Sequence, residues 1–382
     1  MSQSIWSEVR QQLHRQPELS SKEINTADAI AAILAPYKAN KVTRGLGGTG
    51  VAFEFHAPDY YAGSGITTLI RCELDALPIQ EINDFEHRSA IDGVSHKCGH
   101  DGHMAIVASV AETLSITPPK AGRVILLFQP AEETGEGARS VVADDRYSNL
   151  APDFAFALHN LPGQAAGEVF VKPGLFNYAS AGLTVQLQGV ESHAAHPEYG
   201  LSPVSLMCDL IQQLQGLPGT IGGHNFVTII SANMGQGSFG TAPGHAEIKV
   251  TLRSDSNSAM ERLASQAEQL VDSLSGETDI QATILWSDQF STCSNTPLGA
   301  QLVEQACRST GNQCTVIETP YRWSEDFGKL LESAKEGAMF TLGAGISSPQ
   351  LHKPDYDFND ELIEQGRNLF IEIIRLTNGL AE

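Results

Sequence analysis

Three short apolar runs each stop at a knot of polar residues, and this recurrence constrains the fold more than anything else in the chain. Residues 66–72 lead into Glu73-Leu74-Asp75-Ala76-Leu77-Pro78. Residues 123–129 lead into Pro130-Ala131-Glu132-Glu133-Thr134-Gly135, and residues 153–158 into His159-Asn160-Leu161-Pro162. A fourth run, 338–342, precedes Gln350-Leu351-His352-Lys353-Pro354. Between them the apolar spacing turns helical, predicting helices over 4–15, about 20–35, 103–116 and 360–377. Ile5, Val9 and Leu13 form the stripe of the first; Ser20-Ser21-Lys22-Glu23 resembles a capping box opening the second. Strands alternating with helices imply an α/β sheet, whose sites form outside the carboxyl ends of its strands. Asp75, Glu132, Glu133 and His159 are therefore expected to converge.

The pattern changes near Ser180. Residues 183–187 alternate as Leu-Thr-Val-Gln-Leu, a half-buried strand. Ser202-Pro203 opens a helix to about Leu217, and 226–230 is a strand. Residues 245–253 alternate strictly, with Ile248, Val250 and Leu252 on one face and Glu247, Lys249, Thr251 and Arg253 on the other. A helix over about 258–274 and a strand over 282–286 complete the order βαββαβ, that of a ferredoxin-like unit. A chain of 382 residues exceeds one compact core. The expected organisation is a mixed-sheet α/β catalytic domain with helices on both faces, formed by 1–179 and 290–382, with an inserted α+β domain over 180–289. Gly45, Gly47, Gly48 and Gly50 lack the strand–turn–helix context of a phosphate loop.

The densest chemistry lies in His96-Lys97-Cys98-Gly99-His100-Asp101-Gly102-His103. Thiolate and neutral imidazole are the usual ligands of zinc and related ions. Taken alone, the stretch could equally be a buried cysteine beside a helix start. Glu132-Glu133 alone would ordinarily be a solvated acidic turn, and His159 or His352 a loop or core histidine. Together, at strand ends, they compose a ligand set for two ions: Cys98, His100, Glu133, His159 and His352. One carboxylate of the glutamate pair can then bind metal while the other moves a proton. A net charge of −21 argues against nucleic acid or an anionic membrane as partner. Six cysteines without disulfide rhythm, no bilayer-length apolar run and no signal-like N-terminus lead to the expectation of a cytoplasmic protein.

These motifs, with Leu13-His14-Arg15-Gln16-Pro17-Glu18-Leu19, Ser192-His193-Ala194-Ala195-His196-Pro197 and Ser324-Glu325-Asp326-Phe327, resemble the aminoacylase, hippurate hydrolase and indole-acetyl-amino-acid hydrolase family of dinuclear-metal amidohydrolases. The resemblance covers nearly the whole chain. It implies that Cys98 bridges two divalent ions, that His100, Glu133, His159 and His352 complete the set, and that Glu132 is the general acid/base. It implies that His193 polarises the scissile carbonyl, often across a homodimer formed through the inserted domain, and that Arg253 meets a substrate carboxylate. Zinc or manganese is the expected metal, with nickel or cobalt as alternatives. The expected reaction is hydrolysis of an N-acyl amino acid, or a small peptide, by water between the ions with Glu132 as base. Rival readings are a metallo-dipeptidase or carboxypeptidase, a non-catalytic binder of amino-acid conjugates, and a thiol hydrolase using Cys98. Three departures stand out: Glu73 replaces the usual Asp, Gly240-Thr241-Ala242-Pro243 replaces Asn-x-x-Pro, and Glu198 follows Pro197.

Overall fold

The computed structural model describes residues 4–381. Two compact units share the chain: one comprises residues 1–176, 293–320 and 325–382, the other 177–292 and 321–324.

The first unit is built on an eight-stranded mixed sheet. Its order is Lys41–Leu46, Gly50–His56, Arg123–Gln129, Thr67–Glu73, Phe154–Pro162, Glu336–Gly345, Val169–Val171, Cys314–Val316. The middle four strands are mutually parallel, and Gly50–His56 and Val169–Val171 run antiparallel to their inner neighbours. Parallel strands are covered on both faces, which is why most of their residues are apolar and nearly all are buried. Ile70, Cys72, Val124, Leu126, Phe128, Phe156, Leu158, Phe340 and Leu342 share one core cluster with residues of the helices Ile5–His14, His100–Ile116, Pro297–Thr310 and Leu362–Asn378. The alternate residues Leu69, Ile125, Leu127, Ala155 and Met339 are buried as well.

Several local expectations are corrected. The first helix turns Trp6, Arg10 and Leu13 inward and leaves Ile5 exposed, because Arg10 finds carboxylate partners in buried Asp101 and half-buried Asp357. The capping box does not form. The helix begins at Ile24, Ser20 donates instead to Asp75 Oδ2 (2.7 Å), and Glu23 accepts the Ala131 N–H (2.8 Å). The helix expected at His103 starts at His100, directly after Gly99. Phe154–Pro162 runs through His159 rather than stopping before it.

The second unit is a four-stranded antiparallel sheet in the order Asn225–Met234, His245–Ser254, Ala179–Gln188, Gln281–Phe290. The helices Val204–Gly216 and Asn257–Gly276 give the element order βαββαβ. Leu183, Val185, Leu187, Ile248, Val250 and Leu252 pack with Leu206, Leu210, Leu214, Leu263 and Val271 as its core. Glu247, Lys249, Thr251 and Arg253 lie outside that core, as strict alternation requires.

Candidate metal centre

The parallel strands of the first unit end together, and the loops that leave them meet. Cys98 precedes the His100–Ile116 helix through Gly99, whose φ of +94° and lack of a side chain are both required. A Cβ there would lie 2.3 Å from Asn160 Oδ1. The Glu132-Glu133 turn follows Ala131, held in left-handed backbone at φ +50°, and Gly137 must pass Pro130 O where a Cβ would sit at 1.7 Å. His352, too, is left-handed at φ +64°. Left-handed backbone at non-glycine residues is costly and collects where geometry serves a site.

Among the described residues, five trios have ligand-capable atoms within 4.8 Å of one another, and two of them contain the cysteine: Cys98, His100, His159 and Cys98, Glu133, His352. Cys98 belongs to both. Its sulfur is 3.4 Å from His159 Nε2. His352 Nε2 is 3.7 Å from Glu133 Oε2, and His100 Nε2 is 3.8 Å from both Glu132 Oε2 and Glu133 Oε1. The backbone selects the tautomers: His100 Nδ1 donates to Asp75 O (2.8 Å) and His159 Nδ1 to Asn160 O (2.7 Å), which turns both Nε2 atoms to the centre. Asp75 also accepts the Glu133 N–H at 3.0 Å, so one residue orients two of the five.

The donor set fits a pair of cations. His100 Nε2 and Glu133 Oε1 are buried atoms without a hydrogen-bond partner, an expensive condition that a cation between them relieves. Burial, then the charges of Glu133, Glu132 and Glu73, pushes the Cys98 thiol well above its ordinary range. A thiol so placed is a poor nucleophile by itself and becomes a thiolate when a cation is coordinated. Thiolate and imidazole suit zinc, and the carboxylate and imidazole positions suit manganese, cobalt or nickel.

Glu132 stands on a buried carboxylate floor with Glu325 and Asp326. Arg71 holds that floor, bonding Glu73, Glu325 Oε1 (2.8 Å) and Asp326 Oδ1 (2.6 Å), while Gln129 Nε2 donates to Asp326. One guanidinium bonds three carboxylates. Burial first, then repulsion from Glu325, Glu133 and Asp326, raises the proton affinity of Glu132 well above a normal carboxylate. Such a group can hold a proton at neutral pH and release it to a stronger base.

The other two expected site residues belong to the second unit. His193 is exposed on the Ser192–His193 strand, opposite Thr241 of the unusual 240–243 segment. The Ala195 N–H donates to His193 Nδ1 (3.0 Å), leaving Nε2 to carry the ring proton outward. Arg253 is half-buried, and its Nη1 donates to Arg322 O (2.8 Å) and Ser324 Oγ (3.0 Å).

Supporting residues escaped sequence reasoning. His103 Nδ1 bonds Glu73 (2.7 Å) and its Nε2 bonds Asn160 (2.6 Å). His14 lies between Asp101 (2.8 Å) and Glu81 (3.1 Å). His103 stood in the Cys98 stretch and His14 in one of the motifs, but no spacing pointed to these partners.

The chain is similar to known proteins over most of its length. Residues 69–376 match the model of Peptidase family M20/M25/M40. An N-acetyldiaminopimelate deacetylase of Anoxybacillus flavithermus is 31% identical over 93% of this chain and 93% of its own length. The hippurate hydrolase of Campylobacter jejuni is 26% identical over 97% of this chain and 96% of its own. In fold, the chain is similar to the Bacillus subtilis YxeP protein, a dinuclear metal binding peptidase, with a TM-score of 0.78, 24% identity, and 98% and 97% of the two chains covered.

Proposed function

The chain belongs to Peptidase family M20/M25/M40, hydrolases of amide and peptide C–N bonds, and from that premise we propose that it hydrolyses an N-acyl amino acid to a carboxylic acid and a free amino acid. The observation that carries the proposal is the sharing of Cys98 by two ligand triads, beside a glutamate of raised proton affinity.

Cys98, His100 and His159 would hold one divalent cation and Cys98, Glu133 and His352 the other, zinc or manganese in the first instance. Bound there, the pair supplies Lewis acidity and makes water acidic enough to be deprotonated near neutral pH. Glu132 accepts the proton of the attacking water as its oxygen bonds the carbonyl carbon. Glu132 then delivers that proton to the amide nitrogen as the C–N bond breaks, so the amino acid departs as a neutral amine. His193, with Nε2–H turned outward, donates to the oxygen on which negative charge develops. Arg253 offers its remaining guanidinium N–H groups to the carboxylate of the amino-acid half.

The N-acyl preference over a peptide rests on relatives that are a deacetylase and a hippurate hydrolase. The 180–289 insert is assigned as the dimerisation domain between catalytic segments 1–179 and 290–382. Its sheet ends in the edge strands Asn225–Met234 and Gln281–Phe290, which can pair with a second copy. No described helix is long and apolar enough to cross a membrane, and a cytoplasmic location is part of the proposal.

The experiment is turnover of acetyl, benzoyl and indole-acetyl amino acids, beside dipeptides, by chelator-treated protein to which zinc, manganese, cobalt or nickel is restored. Metal-dependent release of a free amino acid from an acyl substrate supports the assignment. Cleavage of dipeptides alone would move it to a dipeptidase. Tight binding without turnover under any metal would move it to a binder, and activity that survives chelation but not thiol alkylation to a Cys98 hydrolase.

A further inference from the structure

Lys97 is fully buried, one residue before the cysteine shared by the two triads. An ammonium taken out of water is costly unless every donor is answered. Here it is answered threefold: Nζ donates to Glu81 Oε1 (2.5 Å), Asn83 Oδ1 (3.0 Å) and Tyr356 O (2.7 Å). The carbonyl of the same residue accepts the His352 N–H at 2.8 Å. Lys97 thus grips the 352–356 segment at both ends. Secondary contacts follow the same segment: Ile82 N–H to Pro354 O (3.2 Å), Asn83 Nδ2 to Asp355 O (3.1 Å) and Asn160 Nδ2 to the Tyr356 hydroxyl (2.5 Å).

This segment needs such a grip. His352 has left-handed backbone at φ +64°, which an imidazole-bearing residue does not favour by itself. Its side chain is 53% exposed, whereas the side chains of Glu133 and His100 are 11% and 1% exposed. Neighbouring packing therefore does little to fix the ring, and its position is inherited from the backbone.

We propose that Lys97 is the positioning residue for His352, setting the 352–356 segment so that the imidazole meets Glu133 and Cys98. The inference rests on the dinuclear reading above only for the identity of what His352 binds. A preset ligand loses less conformational freedom on coordination, so the grip strengthens the site formed by Cys98, Glu133 and His352 more than the other.

The test is Lys97→Met, which keeps the length of the side chain and removes its donors. Hydrogen exchange is measured on chelator-treated protein without substrate. The His352 and Tyr356 amides are expected to exchange roughly tenfold faster than in the parent, while amides of the His245–Ser254 strand stay unchanged. Manganese stoichiometry is expected to fall from two ions per chain toward one, as in His352→Ala. Unchanged exchange at His352 and Tyr356, or two ions retained at parental affinity, overturns the proposal. Should Lys97→Met fail to fold, Glu81→Gln is scored in the same way: it keeps the ammonium but removes its charged partner, and unchanged exchange again overturns the proposal. Because exchange is measured without metal or substrate, the grip stands or falls separately from the turnover panel.

Discussion

His100 Nε2 and Glu133 Oε1 face each other at 3.8 Å, both buried and both without a hydrogen-bond partner. Burial opposes a charge on His100, but the Asp75 hydrogen bond and the Glu73 and Glu133 charges outweigh it and lift its pKa to about 10. Burial lifts Glu133 to about 7. A divalent cation competes with both protons, so metal affinity should rise with pH. Competition titration with manganese between about pH 6 and about pH 8 should show tightening affinity with proton release, spanning the Glu133 value of about 7. Affinity independent of pH would contradict this account of the gap.

The sharing of Cys98 makes an unequal prediction for the ligands. Cys98→Ala should weaken both ions, whereas His159→Ala and His352→Ala should each weaken one. Metal analysis after dialysis against a weak chelator distinguishes these cases. If Cys98→Ala retains one ion as firmly as His352→Ala does, the sulfur is not shared.

Asp75 contacts no expected ion yet orients His100 through its carbonyl and Glu133 through its carboxylate. Partners of this kind typically govern roughly 10–100-fold of metal affinity. Asp75→Ala keeps the carbonyl that holds His100 and removes the carboxylate that accepts the Glu133 N–H; it is expected to lose that much, with the folded protein otherwise retained, as measured by metal titration beside circular dichroism. Parental affinity would show that Glu133 holds its place without the carboxylate.

Acid stability should depend on Glu81. Burial works against its charge, but His14, Lys97 and the Ser89 N–H hold its pKa down at about 2. A carboxyl depressed in the folded state adds stability above its unfolded pKa of roughly 4.3 and gives it up as pH falls through the folded value. The melting temperature of the metal-free protein should therefore decline from about pH 4.5 toward about 2, and Glu81→Gln should flatten part of that decline while lowering stability at neutral pH. Identical pH profiles for the two proteins would count against the linkage.

Much of this was legible because the strands of a parallel sheet announce themselves. The runs before Asp75, Glu132 and His159 are mostly apolar, and chemistry placed at their ends could be read directly. The βαββαβ order of the second unit followed from strict alternation in 245–253 and two amphipathic helices. What stayed hidden was the polar interior. Arg10, His14, Arg71 and Lys97 are buried through partners distant in sequence, such as Asp357, Glu81, Asp326 and Tyr356. No local periodicity reports such a pairing. For the same reason Ser20 and Glu23 suggested a helix cap, although tertiary acceptors and donors had claimed them.

The assignment of Glu132 as the group that carries the proton is tested most directly by Glu132→Gln, with metal content and turnover measured on the same preparation. General acid–base catalysis contributes roughly 10²–10⁴-fold. The account predicts two ions per chain, as in the parent, with hydrolysis of the preferred N-acyl amino acid reduced by about that factor. Parental turnover with both ions in place would contradict it.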